Sequence, residues 1–157
     1  MIDTSRFVLD ATVVTKWYLP DEDGASEALQ IRNAFLGGAT RLVAPNQIIH
    51  ELASALLRAT WPSAPRVRLT EAQAEEFLAD FQGFQIELLH TDALIPAAFR
   101  LARYYTVSYW DGLYLATAQM TNSHLIHADK NLRGALRGRF PLELWLGDYR
   151  ATNEPTK

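Results

Sequence analysis

Five short apolar runs divide this chain, each the length of a strand: RFVLD (6–10), RLVAP (41–45), IELLH (86–90), HLIHA (124–128) and LELWL (142–146). Between them lie segments whose apolar residues recur at helical spacing. One falls within 24–36. Another, NQIIHELASALLRA (46–59), places Ile48, Ile49, Leu52, Leu56 and Leu57 on a buried side. Thr70 opens TEAQAEEFLADF with Gln73 at the capping-box distance. DALIPAAFRLARYY (92–105) accepts Pro96 only near its start, and SYWDGLYLATAQMTN (108–122) completes the set. Strands alternating with helices predict an α/β domain with a mostly parallel sheet. Ligands of such sheets sit beyond the carboxyl ends of the strands.

That edge is where the acids fall. Asp10 closes RFVLD and interrupts an apolar run that resumes at once in ATVV; Asp129 closes HLIHAD in the same way. Burying an unpaired carboxylate costs several kcal/mol, so each needs a partner or must lose its charge. Glu51 lies about a turn into the helix after RLVAP, and Asp111 lies in the first turn of the helix after Ser108. Each has a local reading: Asp111 as the N3 acid of the cap SYWD, Glu51 as a solvated or salt-bridged neighbour of Ser54 and Arg58, Asp10 and Asp129 as turn residues. Four acids from four segments meeting at one sheet edge is what those readings leave unexplained. Clustered carboxylates raise one another's pKa unless a cation lies between them. With oxygen donors only, that cation is a hard one, Mg²⁺ or Mn²⁺.

Other chemistries are excluded by what the chain lacks. It has no cysteine, hence no disulfide, thiol catalysis or cysteine-bound zinc. HELAS (50–54) begins like a zinc-protease motif but carries Ser54 where the second histidine belongs. His124 and His127, three apart in a strand, point to opposite faces, and His90 reads as packing or surface. At 157 residues, with 48% apolar and 21% charged, the chain fits one globular domain spanning 1–157. No repeat or low-complexity block breaks it, and TWPSAPRVRLT (60–70) reads as a surface loop. Apolar runs stay far below the roughly 20 residues a bilayer requires. MIDTSRFVLD has no signal-peptide pattern, so no membrane association and a cytoplasmic location are expected. A net charge of −3 argues against non-specific coating of nucleic acid. Locally, KNLRGALRGR (130–139) carries Lys130, Arg133, Arg137 and Arg139 without an acid. It reads as a solvated helix face or, beside an active site, as a phosphate-binding edge.

Four segments, VLDATVVTKWYLP (8–20), APNQIIHELASALLRA (44–59), YTVSYWDGLYLATAQ (105–119) and HLIHADKNLRG (124–134), together resemble the PIN domain. More closely they resemble the VapC-type toxins of toxin–antitoxin pairs, and the likeness runs from about 6 to 147. It implies a three-layer α/β/α sandwich around a five-stranded parallel sheet. It also implies that Asp10 and Asp111 bind Mg²⁺ or Mn²⁺, with Glu51 and Asp129 completing the catalytic set. The activity implied is a metal-dependent endoribonuclease leaving 5′-phosphate and 3′-hydroxyl ends. The partners implied are RNA, a second copy of the chain, and a cognate antitoxin that inserts a segment near the acids, with 24–36 and 46–59 as docking helices.

On the substrate side, Lys130 and Arg133 are expected to grip the RNA backbone. Trp17 and Tyr18 serve either base stacking or an interface or core. Thr12 matches the family's small hydroxyl position. His127 departs from the family, many of whose members carry Ser or Thr there; a histidine would bond a phosphate or a carboxylate instead. Three alternatives stand beside this reading. A haloacid-dehalogenase-type phosphatase is disfavoured because Thr12 occupies the place of its second acid. A housekeeping PIN nuclease in RNA processing would lack an antitoxin. A silent PIN-like scaffold would bind RNA or protein without cutting, and four intact acids count against it.

Overall fold

The computed structural model describes residue 2, residues 4–63 and residues 67–150. The middle of the expected 60–70 loop, at 64–66, therefore lies outside the described residues. The five expected strands form: β1 (Arg6–Leu9), β2 (Arg41–Pro45), β3 (Glu87–Leu89), β4 (His124–His127) and β5 (Glu143–Trp145). They make one sheet in the order β3-β2-β1-β4-β5, and every neighbouring pair is parallel. "Mostly parallel" thus becomes wholly parallel. The chain builds outward from β1 to β3, then returns to lay β4 on the other side of β1. That reversal opens a crevice at the carboxyl ends of β1 and β4, where open α/β sheets bind ligands.

Alternate strand residues face the two helical layers. Leu9, Leu42, Ala44 and Ile126 pack with α1 (Ala11–Tyr18), α2 (Ala25–Leu36), α3 (Ile48–Ala59) and α4 (Glu71–Gly83). Val8, Val43 and Leu125 pack on the other side with Tyr105 at the end of α5 (Ile95–Tyr105), with α6 (Tyr109–Thr121) and with α7 (Lys130–Leu136). This is the expected three-layer sandwich. Thr70 and Gln73 close the predicted capping box at the start of α4. Pro96 sits in the first turn of α5, after a 3-10 turn over Asp92–Leu94.

One helix was missed in the sequence and one local expectation is corrected. The ATVV stretch, assigned to no element from the sequence, forms the first half of α1, despite its β-branched residues. The Asp10 carboxylate caps the helix and burial of Val13, Val14 and Trp17 outweighs a weak propensity. Leu57, placed on the buried side of α3, is 57% exposed, whereas Ile48, Leu52, Leu56 and Ala59 are buried.

Helices α5 and α6 pack closely at Gly112, the residue after Asp111. A Cβ there would stand 2.4 Å from the Ala98 carbonyl oxygen and 3.0 Å from the Ala102 Cβ. Backbone cannot swing aside as a flexible side chain can, so the helices would have to separate. Gly112→Ala is expected to cost about 1–3 kcal/mol, read as a lowered denaturant midpoint with an unchanged slope. A midpoint equal to wild type would contradict the close packing described.

Candidate active site

Asp10 follows β1 directly, and its Oδ2 accepts from the Thr12 amide at 3.0 Å and from the Thr12 hydroxyl. That hydroxyl in turn accepts from the Ala128 amide at 3.0 Å. Thr12 therefore ties the end of β1 to the end of β4, and its hydroxyl is spent on protein groups. Asp129 opens α7, with Oδ1 accepting from the amides of Asn131 (2.8 Å) and Leu132 (3.1 Å). Both acids are helix caps, as their turn reading expected. Capping uses one oxygen of each: among the described residues no hydrogen-bond donor reaches Asp10 Oδ1 or Asp129 Oδ2. Asp111 lies in the first turn of α6, where its amide donates to the Ser108 hydroxyl at 3.0 Å.

A cap does not require burial, yet Asp10 is buried and Glu51, Asp111 and Asp129 are half-buried. Asp10 is only 4% exposed. Burial lifts its pKa from 3.8 to about 6; bonds from Thr12 oppose the rise, and the charge of Glu51 adds to it. Burial also raises Glu51, with the charge of Asp111 adding. It raises Asp111 in turn, with the charge of Asp129 adding. Charge thus links Asp10 to Glu51, Glu51 to Asp111 and Asp111 to Asp129, so each of the four acids feels at least one other.

Two residues of this neighbourhood were not singled out in the sequence. Gln47 donates from Nε2 to Glu51 Oε1 at 2.9 Å and to the Trp110 carbonyl at 3.1 Å, so it fixes Glu51 against the start of α6. Arg58, the expected ion-pair candidate for Glu51, bonds Ser54 instead at 2.7 Å. The Tyr114 hydroxyl is buried and faces Glu51 and the Ala11 backbone, without a hydrogen bond of full geometry to either. Burial first, and then the charges of Asp10 and Glu51, hold it well above the ordinary tyrosine range. Helical spacing offered a signal for both: Gln47 is four residues before Glu51, and Tyr114 three after Asp111.

The remaining expected residues divide. Lys130 and Arg133 are exposed on α7, and the Arg133 guanidinium lies 4.5 Å over the Trp145 ring. His127 is fully buried, bonded through both ring nitrogens to Glu143 and to the Asp129 amide. Of its two expected partners it takes the carboxylate, that of Glu143, and its burial presents no face to a substrate phosphate. Trp17 and Tyr18 are core residues, bonded to the Ala28 carbonyl and to Asp80, and are not available for stacking. A groove of about 820 Å³ runs from Thr12, Glu51 and Ala128 past Lys16, Arg58 and Arg68. Lys16 and Arg68 are drawn into ion pairs with Glu22, and Arg68 also pairs with Asp21. Among the described residues, Arg58 is paired only with the neutral Ser54 hydroxyl.

Among the described residues, no three acidic or histidine side chains are gathered tightly enough to enclose a cation alone. The donor set is all oxygen, with one carboxylate oxygen of Asp10 and one of Asp129 that no donor reaches among the described residues, and the Tyr114 hydroxyl beside Glu51. Such a set fits a hard divalent cation that takes one or two carboxylates and completes its shell from water and substrate phosphate, as Mg²⁺ does. A comparison with protein families matches residues 7–135 to the PIN domain. Among curated proteins, none matches the chain.

Proposed function

The chain belongs to the PIN-domain family, whose members are in general metal-dependent nucleases, and from that premise we propose that it is an endoribonuclease acting as the toxin of a toxin–antitoxin pair. The observation that carries the reading is the coupled set of four acids, Asp10 buried and Glu51, Asp111 and Asp129 half-buried, at the reversal point of the sheet. Asp10 and Asp111 would hold Mg²⁺ or Mn²⁺, with Asp129 and Glu51 assisting directly or through water. When bound, the cation would lower the pKa of a water and offset charge building on the phosphate during in-line attack.

The protein's own groups have defined tasks in this reading. Asp10 is held in place by Thr12, Glu51 by Gln47, and Asp129 by the amides that open α7. Burial raises the pKa of Asp10, Glu51 and Asp111, so their charged forms are less favoured while no cation lies among them. Arg58 lies along the groove leading to Glu51, where a phosphate of the RNA backbone would meet it. Lys130 and Arg133 would hold the strand on the other side, beyond Asp129.

The antitoxin would cover the same groove, over the outer face of α3, where exposed Leu57 and Trp61 provide an apolar footing. A homodimer and a cytoplasmic site of action complete the proposal. Among the described residues, no helix is long and apolar enough to cross a membrane.

Induced expression in a bacterial host tests the toxin reading. Growth should stop, fragments with 5′-phosphate and 3′-hydroxyl ends should accumulate, and Asp111→Asn should abolish both. Sustained growth at a high level of folded protein would contradict it. Charge reversal tests the groove. Arg58→Glu is expected to raise KM with little change in kcat, and to reduce the salt dependence of RNA binding by about one unit of logarithmic slope. A fall in kcat at unchanged KM would place Arg58 elsewhere in the reaction.

A further inference from the structure

His127 closes β4 two residues before Asp129, yet it faces neither solvent nor the groove. Its side chain is 0% exposed. Nε2 lies 3.0 Å from Glu143 Oε1 on the neighbouring strand β5, and Nδ1 accepts from the Asp129 amide at 3.3 Å. An Nδ1 that accepts fixes the proton on Nε2, which donates to Glu143. The ring also meets Trp145 edge-on, with centroids 5.6 Å apart. The imidazole is thus immobilised on three sides, and its one bond toward the acid cluster goes to the backbone of Asp129.

That backbone bond matters because of how Asp129 is divided. Its Oδ1 is committed to the first amides of α7, which sets the carboxylate plane relative to the helix. The His127 bond sets the residue's own amide relative to the sheet. Together they orient Oδ2, the oxygen left without a donor among the described residues. We propose that His127 and Glu143 form a buried positioning pair that aims Asp129 Oδ2 at the divalent cation. Glu143 orients the ring, the ring orients the Asp129 backbone, and the acid is delivered ready to bind. The inference rests on the metal-site reading of the four acids.

Calorimetric titration of the full chain with Mn²⁺ alone, without RNA, tests it by a readout other than cleavage. His127→Ala removes the acceptor and is expected to weaken Mn²⁺ binding by about tenfold, the lower end of what outer-shell partners contribute. His127→Asn places an amide oxygen near the position of Nδ1 and is expected to restore affinity to within roughly threefold of wild type. Glu143→Leu frees the ring and is expected to weaken binding as His127→Ala does, so it carries the test if His127→Ala fails to fold. Folding is followed by circular dichroism and thermal unfolding of each variant.

Wild-type affinity in folded His127→Ala or Glu143→Leu overturns the proposal. So does a folded His127→Asn that loses as much affinity as His127→Ala, because the acceptor would then not be what matters. A wild-type protein that binds no Mn²⁺ removes the metal-site reading, and the positioning role with it. That result is distinct from wild-type binding that the variants leave unchanged.

Discussion

Asp10→Asn is expected to stabilise the metal-free protein at neutral pH while abolishing cleavage. The folded Asp10 has its pKa raised from 3.8 to about 6, chiefly by burial. Between those values the folded state keeps a proton that the unfolded chain has released. The contribution of this group is therefore fully favourable below about pH 4 and is lost as pH rises through about 6. A rise of about two units corresponds to about 3 kcal/mol at neutral pH. Asparagine keeps an oxygen to cap α1 and never ionises, so it escapes that loss. Wild type and variant should match near pH 4 and diverge toward pH 7, with the variant more stable. Glu51 and Asp111 are raised in the same direction and steepen the wild-type decline. Chemical unfolding in chelator across pH 4–7 checks this, and a variant less stable than wild type at pH 7 would contradict it.

Asp111→Asn should lower cleavage by about a thousandfold without unfolding the protein. Loss of the charge that holds the cation removes several kcal/mol of transition-state stabilisation, and about 4 kcal/mol is three powers of ten in rate. The fold should survive because the bond between Ser108 and residue 111 uses the amide, which asparagine retains. The loss should fall on kcat and kcat/KM together, the pattern of an interaction made in the transition state. Retained cleavage would reduce Asp111 to a helix cap. A loss confined to KM would make it a binding residue.

The acids were legible because strand ends in an α/β sheet are functional addresses. An apolar run halted by Asp10 or Asp129 announces both the end of a strand and the edge it faces. Helix α1 was hidden by its own composition, since Thr12, Val13, Val14 and Thr15 favour strands locally. Only the Asp10 cap and the burial of one face make that segment helical. Leu57 was misplaced because period alone cannot say how wide a buried stripe is. His127 stood out only as a departure from a pattern; its real surroundings come from Glu143 on the adjacent strand, sixteen residues away. Trp17 and Tyr18 went to the core through bonds with Ala28 and Asp80, partners no local pattern reveals. Gln47 and Tyr114 were one helical turn from recognised acids, and their importance appears only when four segments are brought together.

The most direct test of the central claim, that these four acids form a divalent-metal nuclease site, is reversible metal control of cleavage in one preparation. Purified protein is given single-stranded RNA with Mn²⁺, then excess chelator, then Mn²⁺ in excess of the chelator, with Asp111→Asn run in parallel. Cleavage should start, stop and resume in the wild type and never start in the variant. Cleavage that continues in chelator, or that proceeds equally in Asp111→Asn, would contradict the claim.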